Sequence, residues 1–228
     1  MKEALTLQVL KINHCNLGQP ALEALCAGLR RNASLKVLDL SYNHMPDRLG
    51  GIVARLIKDQ GEFRDSQLWV GSLRQHPDSR KRSSSRKGRD EGPTEQERAA
   101  KLEGLVEFIL HHNCFGTKLM AGLASILQLD RYVRKIDLRN NLVMESDIQG
   151  EFLESLRINE SVLNFDLRGN PGNTAAMRKQ VALCLIKNLE QVKLKNDPIR
   201  PSWVELKLLD PENSDLHMLM QGLSIMQD

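Results

Sequence analysis

Three aspartates, Asp39, Asp137 and Asp166, recur in one local setting, the last two followed two places on by Arg139 and Arg168. Carboxylates repeated in this way could carry acid–base chemistry or hold a cation. A second cluster, "HHNC" at 111 to 114, offers the imidazole and thiol ligands that zinc takes. A third, "RKRSSSRKGR" at 80 to 89, packs six basic residues and three serines into ten positions. It invites three readings: a nuclear-import signal, a nucleic-acid patch or a kinase target. Which chemistry survives depends on the elements that position these groups.

Those elements form a repeat. "VRKIDLRNNLV" from Val133 and "VLNFDLRGNPG" from Val162 align with apolar residues at the first, fourth and sixth places and Asn at the ninth. This is the leucine-rich-repeat pattern LxxLxLxxNxL. "LQVLKINHCNL" from Leu7, "LKVLDLSYNHM" from Leu35, "LVEFILHHNCF" from Leu105 and, more weakly, "LEQVKLKNDPI" from Leu189 also fit. The starts at 7, 35, 105, 133, 162 and 189 give steps near 28, except one of 70. Each unit has room for a helix after its strand, and "QPALEALCAGLRR", "DRLGGIVARLIKD", "TKLMAGLASILQ", "SDIQGEFLESLRI" and "AAMRKQVALCLIK" supply the helical rhythm.

The predicted fold is an α/β leucine-rich-repeat solenoid, a horseshoe with parallel strands on the concave face and helices on the convex face. Strands lie about 4.8 Å apart and packed helices about 8–10 Å, so the stack must curve. The predicted organisation is two repeats over 1–60, an insertion over 61–104, four repeats over 105–200 and a cap or tail over 201–228 that uses Trp203. Cys15, Asn43, Asn113, Asn141 and Asn170 form the ladder that satisfies backbone groups where the chain bends.

The repeat register reassigns the chemistry. The spacing of the three aspartates follows from the repeat period, with no Gly-rich phosphate loop and no nucleophile–base pair beside them. The expectation is therefore no catalytic residue and no cofactor. In "HHNC" the register points His111 into the concavity and His112 to the turn, while Asn113 serves the ladder. That separation argues against a shared metal ion. Asp39, His111, Asp137, Arg139, Asp166, Arg168 and Lys193 fall on the concave strand positions instead, where the charges either dock a partner protein as a strip or form a solvated sheet face with intra-sheet ion pairs.

Within the insertion, Leu68, Trp69 and Leu73 suit a short amphipathic helix packed on the flank of the array, with Trp69 and Arg74 as its anchor; the alternative is an exposed Trp69 that anchors a partner protein. Residues 79–97 hold almost no apolar side chain and are read as a disordered basic, Ser-rich loop. "TEQERAAKLEG" then regains helical character. Ser83, Ser84 and Ser85 lie within reach of a basophilic kinase, whose phosphates would turn the positive loop near-neutral or negative.

Composition sets outer bounds. The 228 residues carry a net charge of +3, 41% hydrophobic residues and only 4% aromatic ones, so the core is built from Leu, Ile and Val. That charge does not call for nucleic acid as a partner, and aromatic stacking groups near 80–89 are missing. No stretch approaches the roughly 18 apolar residues of a membrane span. Glu3 and Lys11 make the start a poor signal peptide. Four cysteines without CxxC spacing fit a reduced, cytoplasmic setting.

The chain resembles the ribonuclease-inhibitor type of leucine-rich repeat. Within the insertion, "LWVGSLRQHPD" resembles the WxxSLRxxxPD stretch of a centrosomal leucine-rich-repeat family of seventy-eight kilodaltons, at Trp69, Ser72, Leu73, Arg74, Pro77 and Asp78. "DLRGNP" at 166 to 171 resembles that family's last well-formed repeat. The resemblance implies a non-enzymatic scaffold at the centrosome, centriole or ciliary basal body. Its implied partners are other proteins, among them centrosomal, ciliary or ubiquitin-ligase components. Family members carry further repeats upstream and a coiled coil downstream, so a fragment, an isoform or a divergent relative is expected. The competing reading is a generic cytosolic repeat module of the innate-immune-sensor or actin-regulator type.

Overall fold

The computed structural model describes residues 7–74 and 104–194 of the chain. The basic loop, Ser83 to Ser85, the helical re-entry before Gly104 and the tail with Trp203 lie outside the described residues. Among the described residues, five short strands, β1 (Val9–Lys11), β2 (Val37–Asp39), β3 (Glu107–Ile109), β4 (Lys135–Asp137) and β5 (Asn164–Asp166), form one parallel sheet in chain order. The fourth-place residues Leu10, Leu38, Phe108, Ile136 and Phe165 pair in register across all five strands. The 70-residue step between the second and third repeats therefore adds no rung to the sheet.

Each strand is short because the chain turns at the eighth place. His14, Tyr42, His112, Asn140 and Gly169 all occupy the left-handed region there, with φ between 51° and 75°. For a residue other than glycine this conformation costs about 1–2 kcal/mol. The asparagine ladder offsets that cost. Asn113 accepts N–H bonds from Asn43 and Met45 at 3.1 and 3.0 Å, and donates to the carbonyls of Leu40 and Leu110 at 3.1 and 2.9 Å. Asn43, Asn141 and Asn170 repeat the bridge from one repeat to the one before it. The first rung is Cys15, whose backbone N–H donates to Asn43.

The helices α1 (Gln19–Leu29), α2 (Gly50–Arg74), α3 (Thr117–Leu127), α4 (Glu145–Ile148), α5 (Glu151–Ile158) and α6 (Ala175–Leu194) cover the other side of the sheet. Gly150, at φ 69°, separates α4 from α5 where the sequence rhythm suggests one helix. Between the layers lies a continuous core that includes Leu22, Leu38, Phe108, Leu119, Ile136 and Phe152, each at most 2% exposed. At three of the repeat starts, a residue three places before adds a second set of bonds. Asn32, Asp130 and Asn159 each accept the N–H of the starting Leu35, Val133 or Val162 at 2.8 Å.

At the insertion this device is replaced. Gln60 takes the register position of Asn32, but it sits inside α2, which continues to Arg74. Its amide donates to the carbonyls of Leu29 and Asn32, and it accepts the N–H of Leu105. Arg64, one turn on and 2% exposed, donates to the carbonyl of Leu105 at 2.6 Å and stacks over Tyr132. Burial draws its guanidinium down to about 10, against the pull of Asp130 and Tyr132.

Two expectations are corrected here. No strand forms at 192–194, because α6 runs through Leu194 and carries Lys193 with it, away from the concave strip. Asn188 stands one residue before Leu189 rather than three, which leaves too little chain for the turn that opens β2, β4 and β5. Leu185 and Leu189 are buried on one helical face instead. Trp69 belongs to the single long helix α2 and not to a short separate one. Its side chain is 65% exposed rather than packed on the flank.

Candidate interaction face of the sheet

Alternation along a strand sends the fourth and sixth places into the core and the third, fifth and seventh to the opposite face. The fifth places hold Lys11, Asp39, Ile109, Asp137 and Asp166, and the seventh hold Asn13, Ser41, His111, Arg139 and Arg168. The structure thus brings together six of the seven predicted strip residues, all but Lys193.

Their charges are paired within and between repeats. Arg139 grips Asp137 through Nε and Nη2 at 3.0 and 2.9 Å, and its Nε reaches Asp166 at 3.6 Å. Arg168 holds Asp166 through Nε and Nη2 at 3.1 and 2.7 Å. Asp39 is 8% exposed and accepts from the N–H and hydroxyl of Ser41 at 3.0 and 2.6 Å. Burial pushes the Asp137 carboxyl up, but its bonds from Arg139 and the nearby His111 win, and it lies below its usual range. Two-pronged arginine–carboxylate pairs of this kind fix both side chains in one plane. The result is a rigid charged strip, with its carboxylates turned inward to the arginines.

Beside the strip runs a feature that the sequence reading missed. The eighth-place side chains stack across the repeats as a rail. His14 and Tyr42 lie face to face with ring centres 4.3 Å apart, and Tyr42 and His112 do so at 4.1 Å. His111 meets Tyr42 edge-on at 5.1 Å. Asn140 extends the rail, its Nδ2 lying 3.0 Å from Nε2 of His112. The rail stops at Gly169, where a Cβ would sit 2.0 Å from Oδ1 of Asn140. The signal was present in the aligned eighth column, which the repeat pattern treats as variable.

The rail also corrects the reading of "HHNC". His111 and His112 do not point apart, since their Nδ1 atoms are 2.8 Å from each other. With Asn140 donating, Nε2 of His112 must accept, so His112 carries its proton on Nδ1 and donates it to Nδ1 of His111. Burial holds His111 below the ordinary imidazole value of 6.5; Asp137 and Asp39 pull upward, while Arg139 and His112 push down. Among the described residues, no three His, Cys, Asp or Glu side chains are grouped to hold a metal ion. Among them also, no helix is long and apolar enough to cross a membrane.

Comparisons agree with this architecture. The family described as Leucine Rich repeat matches residues 4–26 and 31–48. The chain is 23% identical over 190 residues to mouse (Mus musculus) "Centrosomal protein of 78 kDa", covering 82% of this chain and 21% of that protein. It is also 23% identical over 195 residues to the human (Homo sapiens) protein of the same name, covering 85% of this chain and 25% of that one. The chain thus spans about a fifth to a quarter of the length of these relatives. Among solved structures it is similar to a leiomodin-1 structure titled actin-binding site 2, with TM-score 0.59, 12% identity, and coverage of 85% of this chain and 87% of that one. The tropomodulin C-terminal domain of Caenorhabditis elegans gives TM-score 0.58 and 13% identity, over 85% of this chain and 91% of that one. These structural likenesses establish the leucine-rich-repeat fold.

Proposed function

We propose that the chain is a non-catalytic scaffold that docks a partner protein on the sheet face of its repeat array and acts at the centrosome or ciliary base. The observation that carries the docking reading is the rigid strip of Asp137, Arg139, Asp166 and Arg168, two parallel rows set by the sheet register. Such preorganised charge lowers the ordering cost of binding and selects partners by complementarity. The centrosomal setting rests on the 23% identity to the 78 kDa centrosomal proteins. Centrosomal, ciliary or ubiquitin-ligase proteins are the partners that this resemblance suggests.

Proximity labelling in ciliated cells tests both parts. The parent chain is compared with a variant carrying Asp137→Arg, Arg139→Asp, Asp166→Arg and Arg168→Asp. The expected result is a centrosomal or ciliary set of neighbours, lost in the variant while its melting profile stays cooperative. An unchanged set would overturn the strip as the docking surface. The second reading, an actin-regulator type of module, is favoured only by fold likeness to leiomodin and tropomodulin. Even spread through the cytosol with recovery of actin would support it instead.

A further inference from the structure

In each of the first four described repeats, one side chain marks where the next repeat begins. Asn32, Gln60, Asp130 and Asn159 stand 25 or 26 places after the starts at 7, 35, 105 and 133. Each accepts the N–H of the next starting residue: Leu35, Val133 and Val162 at 2.8 Å, and Leu105 at 3.4 Å. Asn188 is the fifth member of this column, 26 places after Val162. Its Nδ2 donates to the carbonyl of Val162 at 2.8 Å, but its Oδ1 has no partner although the residue is 0% exposed. A buried acceptor at this place calls for an N–H.

The far edge of β5 is open beside it. Along the array the second-place carbonyl accepts N–H groups of the next repeat, and the sixth- and eighth-place N–H groups donate to that repeat. Arg134, Leu138 and Asn140 do so toward the fifth repeat. In the fifth repeat the corresponding groups are the carbonyl of Leu163 and the N–H groups of Leu167 and Gly169. None of the three meets a backbone partner among the described residues. Leu163, Phe165 and Leu167 are at most 6% exposed, so the edge offers main chain rather than an apolar face. Like α2 beyond Gln60, α6 continues past Asn188, to Leu194. After α2 the chain returns to the array at Leu105.

We propose that this edge is the docking site for residues 203–208 of the same chain, "WVELKL", which pair with β5 as a sixth parallel strand and set the N–H of Trp203 on Oδ1 of Asn188. Trp203, Leu206 and Leu208 supply the apolar first, fourth and sixth places. In that register Lys207 falls at the fifth place beside Asp166, and Glu205 at the third beside Asn164. A lysine there meets a carboxylate. Residues 195–202 reach about 26 Å when extended, more than the roughly 9 Å of helix that follows Asn188. Met220, Leu223 and Ile225 have the same apolar spacing, but they put Gly222 and Ser224 on the sheet face, with no charge for Asp166. Pro211 takes the ninth place after Trp203, so the asparagine ladder ends at Asn170 and the sixth rung is a terminal one. The added strand closes the edge to strands of other molecules. That closure holds whether or not the strip docks a partner.

The test uses the full chain carrying Cys15→Ser and Cys114→Ser, with Asn164→Cys and Glu205→Cys added. In-register neighbours on adjacent strands lie about 5 Å apart, within disulfide reach. This pair should oxidise within one molecule about tenfold or more faster than Asn164→Cys with Gly222→Cys, because pairing raises the local concentration. Equal rates, or a faster bond to position 222, overturn the proposal. Bonds mainly between two molecules also overturn it, by showing a second copy on the edge. Hydrogen exchange reads the same pairing without cross-links. Lys207→Pro removes the N–H that faces the Phe165 carbonyl, and should speed exchange of the Phe165 and Leu167 amides by about tenfold or more. The Ile136 and Leu138 amides, which join β4 to β5, are the internal reference. Unchanged exchange at Phe165 and Leu167 overturns the sixth strand. Where Ile136 and Leu138 quicken as well, the variant has loosened the last repeat, and the cross-link rates decide.

Discussion

At the scale of single residues, the ladder asparagines do what their spacing indicates. Asn141 satisfies the N–H of Phe115 and the carbonyls of Leu110 and Leu138, all buried. Asn141→Ala leaves those groups without partners and should cost about 3 kcal/mol, read as a lower denaturation midpoint with an unchanged slope. Cys15 occupies the same column but its thiol makes one exposed contact, to the carbonyl of Asn13 at 3.2 Å. Cys15→Ala should stay within about 0.5 kcal/mol of the parent. The His111 imidazole lies below its ordinary value, so the unfolded chain takes up its proton first as pH falls. Stability should therefore decline as pH drops below about 6.5 toward the folded value, and His111→Gln should flatten that decline in melts across this window. The asparagine column was legible because one residue type recurs at one place. The rail was not, since His, Tyr, His, Asn and Gly share no letter and are united only by their left-handed backbone.

At the scale of elements, the re-entry point beside α2 is the least regular piece. Gly104 has φ 56°, and a Cβ there would lie 2.4 Å from Nη2 of Arg64. Gly104→Ala should therefore cost about 2 kcal/mol or more, since backbone strain adds to a clash with a buried guanidinium. Gly28, inside α1 with nothing within 4 Å of its Cβ position, gives the opposite sign. Gly28→Ala should stabilise by about 0.5–1 kcal/mol, and parallel denaturation of the two variants checks the contrast. The helices were legible where Leu22, Leu29 or Leu119, Leu123, Leu127 recur on one face. The end of α6 was not, because Leu189, Val192 and Leu194 satisfy a strand pattern and a helix pattern alike. Asn188, one residue before Leu189, is the discriminating detail. In the described strands with such a turn, the Asn or Asp stands three residues ahead.

At the scale of the whole molecule, the array behaves as one stack despite its interruption. β2 pairs with β3 in the same register as every other neighbouring pair, and Asn113 bonds back to the Asn43 and Met45 N–H groups across the insertion. Gln60, Arg64 and the bond from Tyr132 to Asp65 at 2.5 Å fasten the helix that leads into it. The two ends of the insertion are thus set by contacts with the array itself, and 29 residues, 75 to 103, separate them in sequence. Replacing 79–97 with a six-residue Gly-Ser linker shortens that connection to 16 residues. The closure entropy then changes by only about 0.5 kcal/mol. A single cooperative transition within that margin of the parent is expected in urea, because nearest-neighbour interfaces carry a repeat array. A loss of several kcal/mol, or a second transition, would mean that residues 79–97 pack against the repeats and that the basic stretch is part of the folded unit.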